Sequence, residues 1–144
     1  MKIFESKRSR VILGRLECGD DIHVALNELA LAQNLRSADI RALGAVKELE
    51  VTEWDAKNKG YKEPVRRAGL SEVLFLYGNL SYKDGKPFWH LHLTAGFLGD
   101  GATTVVAGHL QRAKVFALEF VINAYDDVAL ERTFDERTGL SLWK

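Results

Sequence analysis

The chain has 144 residues, of which 47% are hydrophobic and 28% charged, with 12 Gly, 2 Pro and one cysteine. Lys+Arg and Asp+Glu both number 20, so the formal charge is zero and bulk electrostatics selects no partner. Such a chain buries about 70% of its unfolded surface, which excludes a disordered or collagen-like polypeptide, a disulfide framework and a Cys-rich zinc ribbon, and reads as one domain over residues 1–144.

The N-terminal MKIFESKRSR lacks the apolar stretch of a secretory signal, and no run of about 18 apolar residues follows. A cytoplasmic protein without membrane association is expected. Residues 10–18 alternate and predict a strand that ends at Gly19-Asp20-Asp21. From Ile22 the apolar positions Ile22, Ala25, Leu26, Leu29 and Ala30 repeat at helical spacing, with Asp20 or Asp21 as cap and Asn34 as terminator. No other segment has that period.

Everything beyond reads as strand and turn. Residues 37–46 and 49–54 predict two short strands, and 55–69 (DAKNKGYKEPVRRAG) a polar loop. Residues 73–80 are apolar on both alternating sets, the pattern of a strand buried on both faces. Asp84-Gly85 predicts a tight hairpin into residues 88–95. A second turn at 99–101 leads to strands at 103–107 and 115–124. One helix cannot cover so large a sheet, which implies a sandwich, a closed barrel or, the reading preferred here, a partner subunit on the open face.

Three of the four histidines are the candidates for chemistry. On a strand, His90 and His92 project from one face while Trp89, Leu91 and Leu93 take the other. His109 lies one strand later, and if the strands pair, three imidazoles converge as a ligand set for zinc or another divalent transition metal. Otherwise they are half-buried sheet residues bonded to their neighbours. Glu119 shares a strand face with Val115, Ala117 and Val121 and is a candidate fourth ligand or an acceptor orienting an imidazole; an arginine partner or solvent at a subunit boundary is the simpler account. His23, in the first helical turn, reads as a surface residue, and Cys18 has no base placed beside it.

Charge is uneven although it cancels. Residues 1–10 (Lys2, Lys7, Arg8 and Arg10 against Glu5) and 55–69 (Lys57, Lys59, Lys62, Arg66 and Arg67 against Asp55 and Glu63) each carry net +3, while 126–137 carry net −3. Lys7, Arg8, Arg10, Lys57, Lys59, Arg66 and Arg67 are thus candidate phosphate contacts, with a solvated surface as the alternative.

In order along the chain stand Arg15-Leu16-Glu17-Cys18-Gly19-Asp20-Asp21, Gly44-Ala45-Val46, Tyr77-Gly78-Asn79-Leu80, His90-Leu91-His92-Leu93, Gly108-His109-Leu110 and Thr138-Gly139-Leu140. This series resembles the PPC domain (DUF296), the plants-and-prokaryotes-conserved domain whose prokaryotic members are labelled predicted DNA-binding proteins with a PD1-like motif. The resemblance runs over residues 10–143. It implies an α/β (α+β) fold, mostly antiparallel sheet with one main helix, assembled as a homotrimer. It also implies a metal site, usually zinc, on His90, His92 and His109. The Arg-Gly-Arg core of the plant members' AT-hooks is absent here.

The functional expectation is a DNA-binding or regulatory binding module, with DNA or another protein as partner. The alternatives are a metal-dependent enzyme and a small-ligand sensor, both using the open position of a metal held by three histidines.

Overall fold

The computed structural model describes residues 1–99 and 101–144. Strand β1 (Ser9–Leu16) turns into helix α1 (Ile22–Ala32). Asp21 caps the helix, its carboxylate accepting from the backbone N–H of His23 and Val24, donors that the first turn leaves without an intrahelical acceptor. Asn34 takes a left-handed φ of 52° just past the last turn. Ile22, Leu26 and Ala30, four residues apart, form the buried stripe, and the Trp89 indole donates to the Leu26 carbonyl at 3.1 Å.

The two short strands expected in residues 37–54 are one, β2 (Ala38–Thr52). Gly44 at φ 141° and Glu48 at φ 51° lie where its pairing register shifts, and such bulges bend a strand without ending it. Only glycine fits at 44, because a Cβ there would stand 2.1 Å from the Ala117 carbonyl oxygen. A short β3 (Trp54–Asp55) runs from the end of the second expected strand into the expected polar loop, which holds β4 (Gly60–Tyr61), paired with β3, and β5 (Val65–Arg67), paired with β2. Its polar composition hid these ladders because backbone groups make them.

Strands β6 (Ser71–Lys83) and β7 (Lys86–Gly99) form the expected hairpin, with Asp84 and Gly85 both at positive φ. The second expected turn includes Asp100, which lies outside the described residues. Next comes β8 (Ala102–Tyr125), a single strand of 24 residues where two were expected. A hairpin of β9 (Arg132–Asp135) and β10 (Leu140–Trp143) follows.

All pairings between these strands are antiparallel. β6 pairs β2 and β7, β7 pairs the first part of β8, and β8 from His109 onward pairs back onto β2. The ladder therefore closes on itself, and a barrel has one interior. Leu76, Leu80, Leu91, Leu93, Leu110 and Ile122 fill it with hardly any exposure, and α1 packs its buried stripe into the same cluster.

Closure corrects the expectation of a strand buried on both faces. Val73, Leu76 and Leu80 point inward, whereas Leu74, Phe75 and Tyr77 are 59%, 53% and 49% exposed. With Leu13 and Leu43, Leu74 and Phe75 line a cavity of about 590 Å³ on the outer surface. Among the described residues no helix is long and apolar enough to cross a membrane.

Candidate metal centre

The inward set on β7 is Trp89, Leu91, Leu93 and Ala95, all buried, so strand alternation turns His90 and His92 outward together. His92 and His109 are register partners across the ladder of β7 and β8. The sequence could not fix that register; the pairing does. One potential ligand nitrogen from each ring lies within 4.8 Å of the others, and Nε2 of His90 and His92 are 3.2 Å apart. Nitrogens bound tetrahedrally to zinc at ~2.05 Å stand about 3.3 Å apart, so this donor set fits a zinc-like ion.

Electrostatics favours the same use. Burial, assisted by Arg132 and by His92, pushes His90 down from 6.5 to about 4. Burial, assisted by His90 and His92, does the same to His109, again to about 4. Both rings are therefore uncharged at neutral pH, the state in which imidazole offers a lone pair to a metal.

The surroundings come from segments that carry no obvious motif. Tyr61 stacks on His109 with centroids 4.8 Å apart and 23° between planes, and Trp54 meets Tyr61 edge-on at 5.1 Å. Arg132 is half-buried. Its guanidinium donates to Ser81 Oγ at 2.7 Å, the Ser141 carbonyl at 2.9 Å and Asn79 Oδ1 at 3.1 Å, and it rests 4.9 Å from the centre of the Phe88 ring. The histidines, Arg132, Tyr61 and Phe134 line a cavity of about 560 Å³. Sequence reasoning missed Tyr61 and Arg132. The signal for Arg132 was the turn Asp135-Glu136-Arg137-Thr138-Gly139: the Asp135 carboxylate accepts from the N–H of Arg137 and Thr138, and Gly139 sits at φ 76°.

Other candidates lie elsewhere. Glu119 is exposed on the outer face, opposite Arg15 on β1 and Leu43 on β2, and lines the outer apolar cavity with Arg41. No carboxylate joins the three histidines among the described residues. The reason is that β8 is unbroken, so the ten positions separating His109 from Glu119 span about 30 Å of strand. His23 is not a surface residue. It is half-buried, with Nε2 3.1 Å from the Leu110 carbonyl, and lines a cavity of about 340 Å³ behind Tyr61 and His109. Cys18 is exposed and free.

Several of the basic candidates are engaged within the chain. Arg10 pairs with Asp126 at 3.0 Å and donates to the Gln33 carbonyl, while the Lys7 backbone N–H and the Ser6 hydroxyl both bond Asp127. Lys59 donates to the Glu136 carbonyl, Arg66 lies 3.7 Å from both Glu50 and Glu63, and Arg67 stacks 3.5 Å from the Phe97 ring centre. Both basic segments thus lean on the acidic one. Arg8 and Lys57 form no ion pair among the described residues.

The sequence profile of the Plants and Prokaryotes Conserved (PCC) domain matches residues 4–126. Among solved structures, a metal-containing protein from Archaeoglobus fulgidus is 38% identical with a TM-score of 0.92, covering 100% of this chain and 99% of its own. A plant- and prokaryote-conserved (PPC) protein from Pyrococcus horikoshii is 28% identical with a TM-score of 0.90, covering 100% and 97%. A candidate DNA-binding protein from Bacteroides thetaiotaomicron is 28% identical with a TM-score of 0.82, covering 93% and 91%. No curated protein matches.

Proposed function

The chain belongs to the Plants and Prokaryotes Conserved domain family, and from that premise we propose that it is a regulatory binding module, a cytoplasmic homotrimer of single-domain chains, that holds zinc or another divalent transition metal on His90, His92 and His109. The observation that carries this reading is the convergence of three imidazoles, two of them held neutral, with ligand nitrogens inside one 4.8 Å group. The metal-containing relative from Archaeoglobus fulgidus supports it. Bound there, a divalent metal supplies Lewis acidity and a coordination position open to a further ligand.

Of the protein's own groups, Tyr61 fixes the plane of His109 by stacking, and Arg132 holds a positive charge at the cavity wall. Among the described residues no carboxylate joins the trio, and Glu53, the carboxylate lining the same cavity, is paired with Lys62. The test is elemental analysis of purified protein alongside His92→Ala. Stoichiometric metal in the first and its loss from the second is the expected result; a metal-free native preparation would refute the reading.

DNA is the partner suggested by the relative from Bacteroides thetaiotaomicron. Its contacts would be Lys7, Arg8, Arg10, Lys57, Lys59, Arg66 and Arg67, with each patch repeated around the trimer. Phosphate contacts release counterions, so a mobility shift seen near 50 mM salt should collapse by about 200 mM. A shift indifferent to salt, or none at all, removes DNA and leaves the regulatory module.

A further inference from the structure

The cavity over the histidines has a charge problem that the protein does not solve internally. Arg132 is half-buried, its three acceptors are all neutral, and no carboxylate lies within ion-pair distance among the described residues. A guanidinium has more N–H groups than those acceptors use. Lys83 adds positive charge to the same lining, and the one carboxylate there, Glu53, is already paired with Lys62. A desolvated charge needs a counter-charge, and a metal on the trio would deepen the deficit. The remaining walls are mostly apolar and aromatic, with Trp54, Tyr61, Phe88, Phe134, Leu140 and Leu142 beside the polar Thr52 and Ser141. A volume of about 560 Å³ is that of a small-molecule site.

We propose that this cavity binds a small organic carboxylate, whose head is recognised by Arg132 and whose apolar body lies against Tyr61, Phe88 and Phe134. The planar fork of arginine matches a carboxylate in two-point contact, and charge-assisted bonds of this kind are about twice as strong as neutral ones. A carboxylate on an apolar body suits these walls better than a phosphate, for which the lining offers no helix N-terminus. The proposal rests on the metal reading only for its second anchor, the open coordination position. Arg132 is the specificity residue and is independent of it.

Calorimetric titration of the metal-loaded full chain with benzoate, hexanoate, benzyl alcohol and inorganic phosphate tests this. At least one of the two carboxylates should bind, with benzyl alcohol about tenfold weaker or worse. Arg132→Met should cost that carboxylate about tenfold or more, and Arg132→Lys should recover part of the loss because it keeps the charge but not the fork. Melting curves separate the alternative in which Arg132 merely tethers the hairpin of β9 and β10: that role lowers the melting temperature of Arg132→Met but leaves the folded fraction binding carboxylate normally. If Arg132→Met fails to fold, the comparison of benzoate with benzyl alcohol and the Arg132→Lys variant still decide. Equal binding of acid and alcohol, undiminished binding in folded Arg132→Met, tighter binding of phosphate than of either carboxylate, or no binding of either carboxylate at 10-millimolar order would each overturn the proposal. The titration is repeated after chelation, with metal content measured directly. Arg132-dependent carboxylate binding by a protein that takes up no metal would sink the metal reading alone and leave this one standing.

Discussion

His90 and His109 are held neutral chiefly by burial, and that has a consequence for acid stability. Each has a folded pKa of about 4 against 6.5 when free, so between those values the unfolded chain binds more protons than the folded one. Stability therefore rises with pH through that window and falls as the solution is acidified from 6.5 toward 4. Metal-free protein should lose melting temperature over that range, and a His90→Gln, His109→Gln double variant should show a flatter profile. Equal slopes would contradict the assignment. On the metal itself, perturbing residues that only support a ligand costs 10- to 100-fold in affinity, so removing His109 outright should cost about 100-fold or more, read by competition with a chromogenic chelator. The pair His90 and His92 could be read from sequence because alternation along one strand needs no tertiary information. Their meeting with His109 could not, since it depends on the register between β7 and β8.

Among the elements, α1 was the most legible: its period, its Asp21 cap and its Asn34 terminus are local chemistry. Asp21→Ala should cost about 1 kcal/mol in urea unfolding, with an unchanged denaturant slope. The long strands of the barrel were found, but not their lengths, and the short strands β3, β4, β5, β9 and β10 were not. β2 and β8 continue through Glu48 and through residues 108–114, where bulges mimic the sequence of a turn. Gly78 lies between these levels. It faces Leu91 in the ladder, and a Cβ would come within 2.2 Å of the His90 carbonyl oxygen. Gly78→Ala should therefore push β7 away at the histidines, costing about 3 kcal/mol and displacing His90. A variant that melts like the parent and retains metal would refute that account. The β3 and β4 hairpin and Arg132 escaped notice because their contribution is positional: Tyr61 and Arg132 matter only through what the barrel sets beside them.

For the molecule as a whole, closure of the ladder through β2 and β8 gives the chain its own interior and leaves a second apolar surface outside, with Leu43 and Leu74 both 59% exposed. The proposed homotrimer would bury this surface between subunits, a common use of exposed apolar patches. In light scattering the parent should have three times the chain mass, and a Leu43→Glu, Leu74→Glu variant should shift toward one chain mass while keeping its melting transition. A parent that runs as a monomer would remove the homotrimer. Alternating apolar residues told where the long strands run, because hydrophobic period is written in consecutive residues. Which apolar set faces inward, where Glu119 and His109 stand relative to one another, and that a charged arginine from the far end of the chain overlooks the imidazoles were settled by strand register and barrel closure. Those arise from pairings between residues distant in sequence, and no local pattern encodes them.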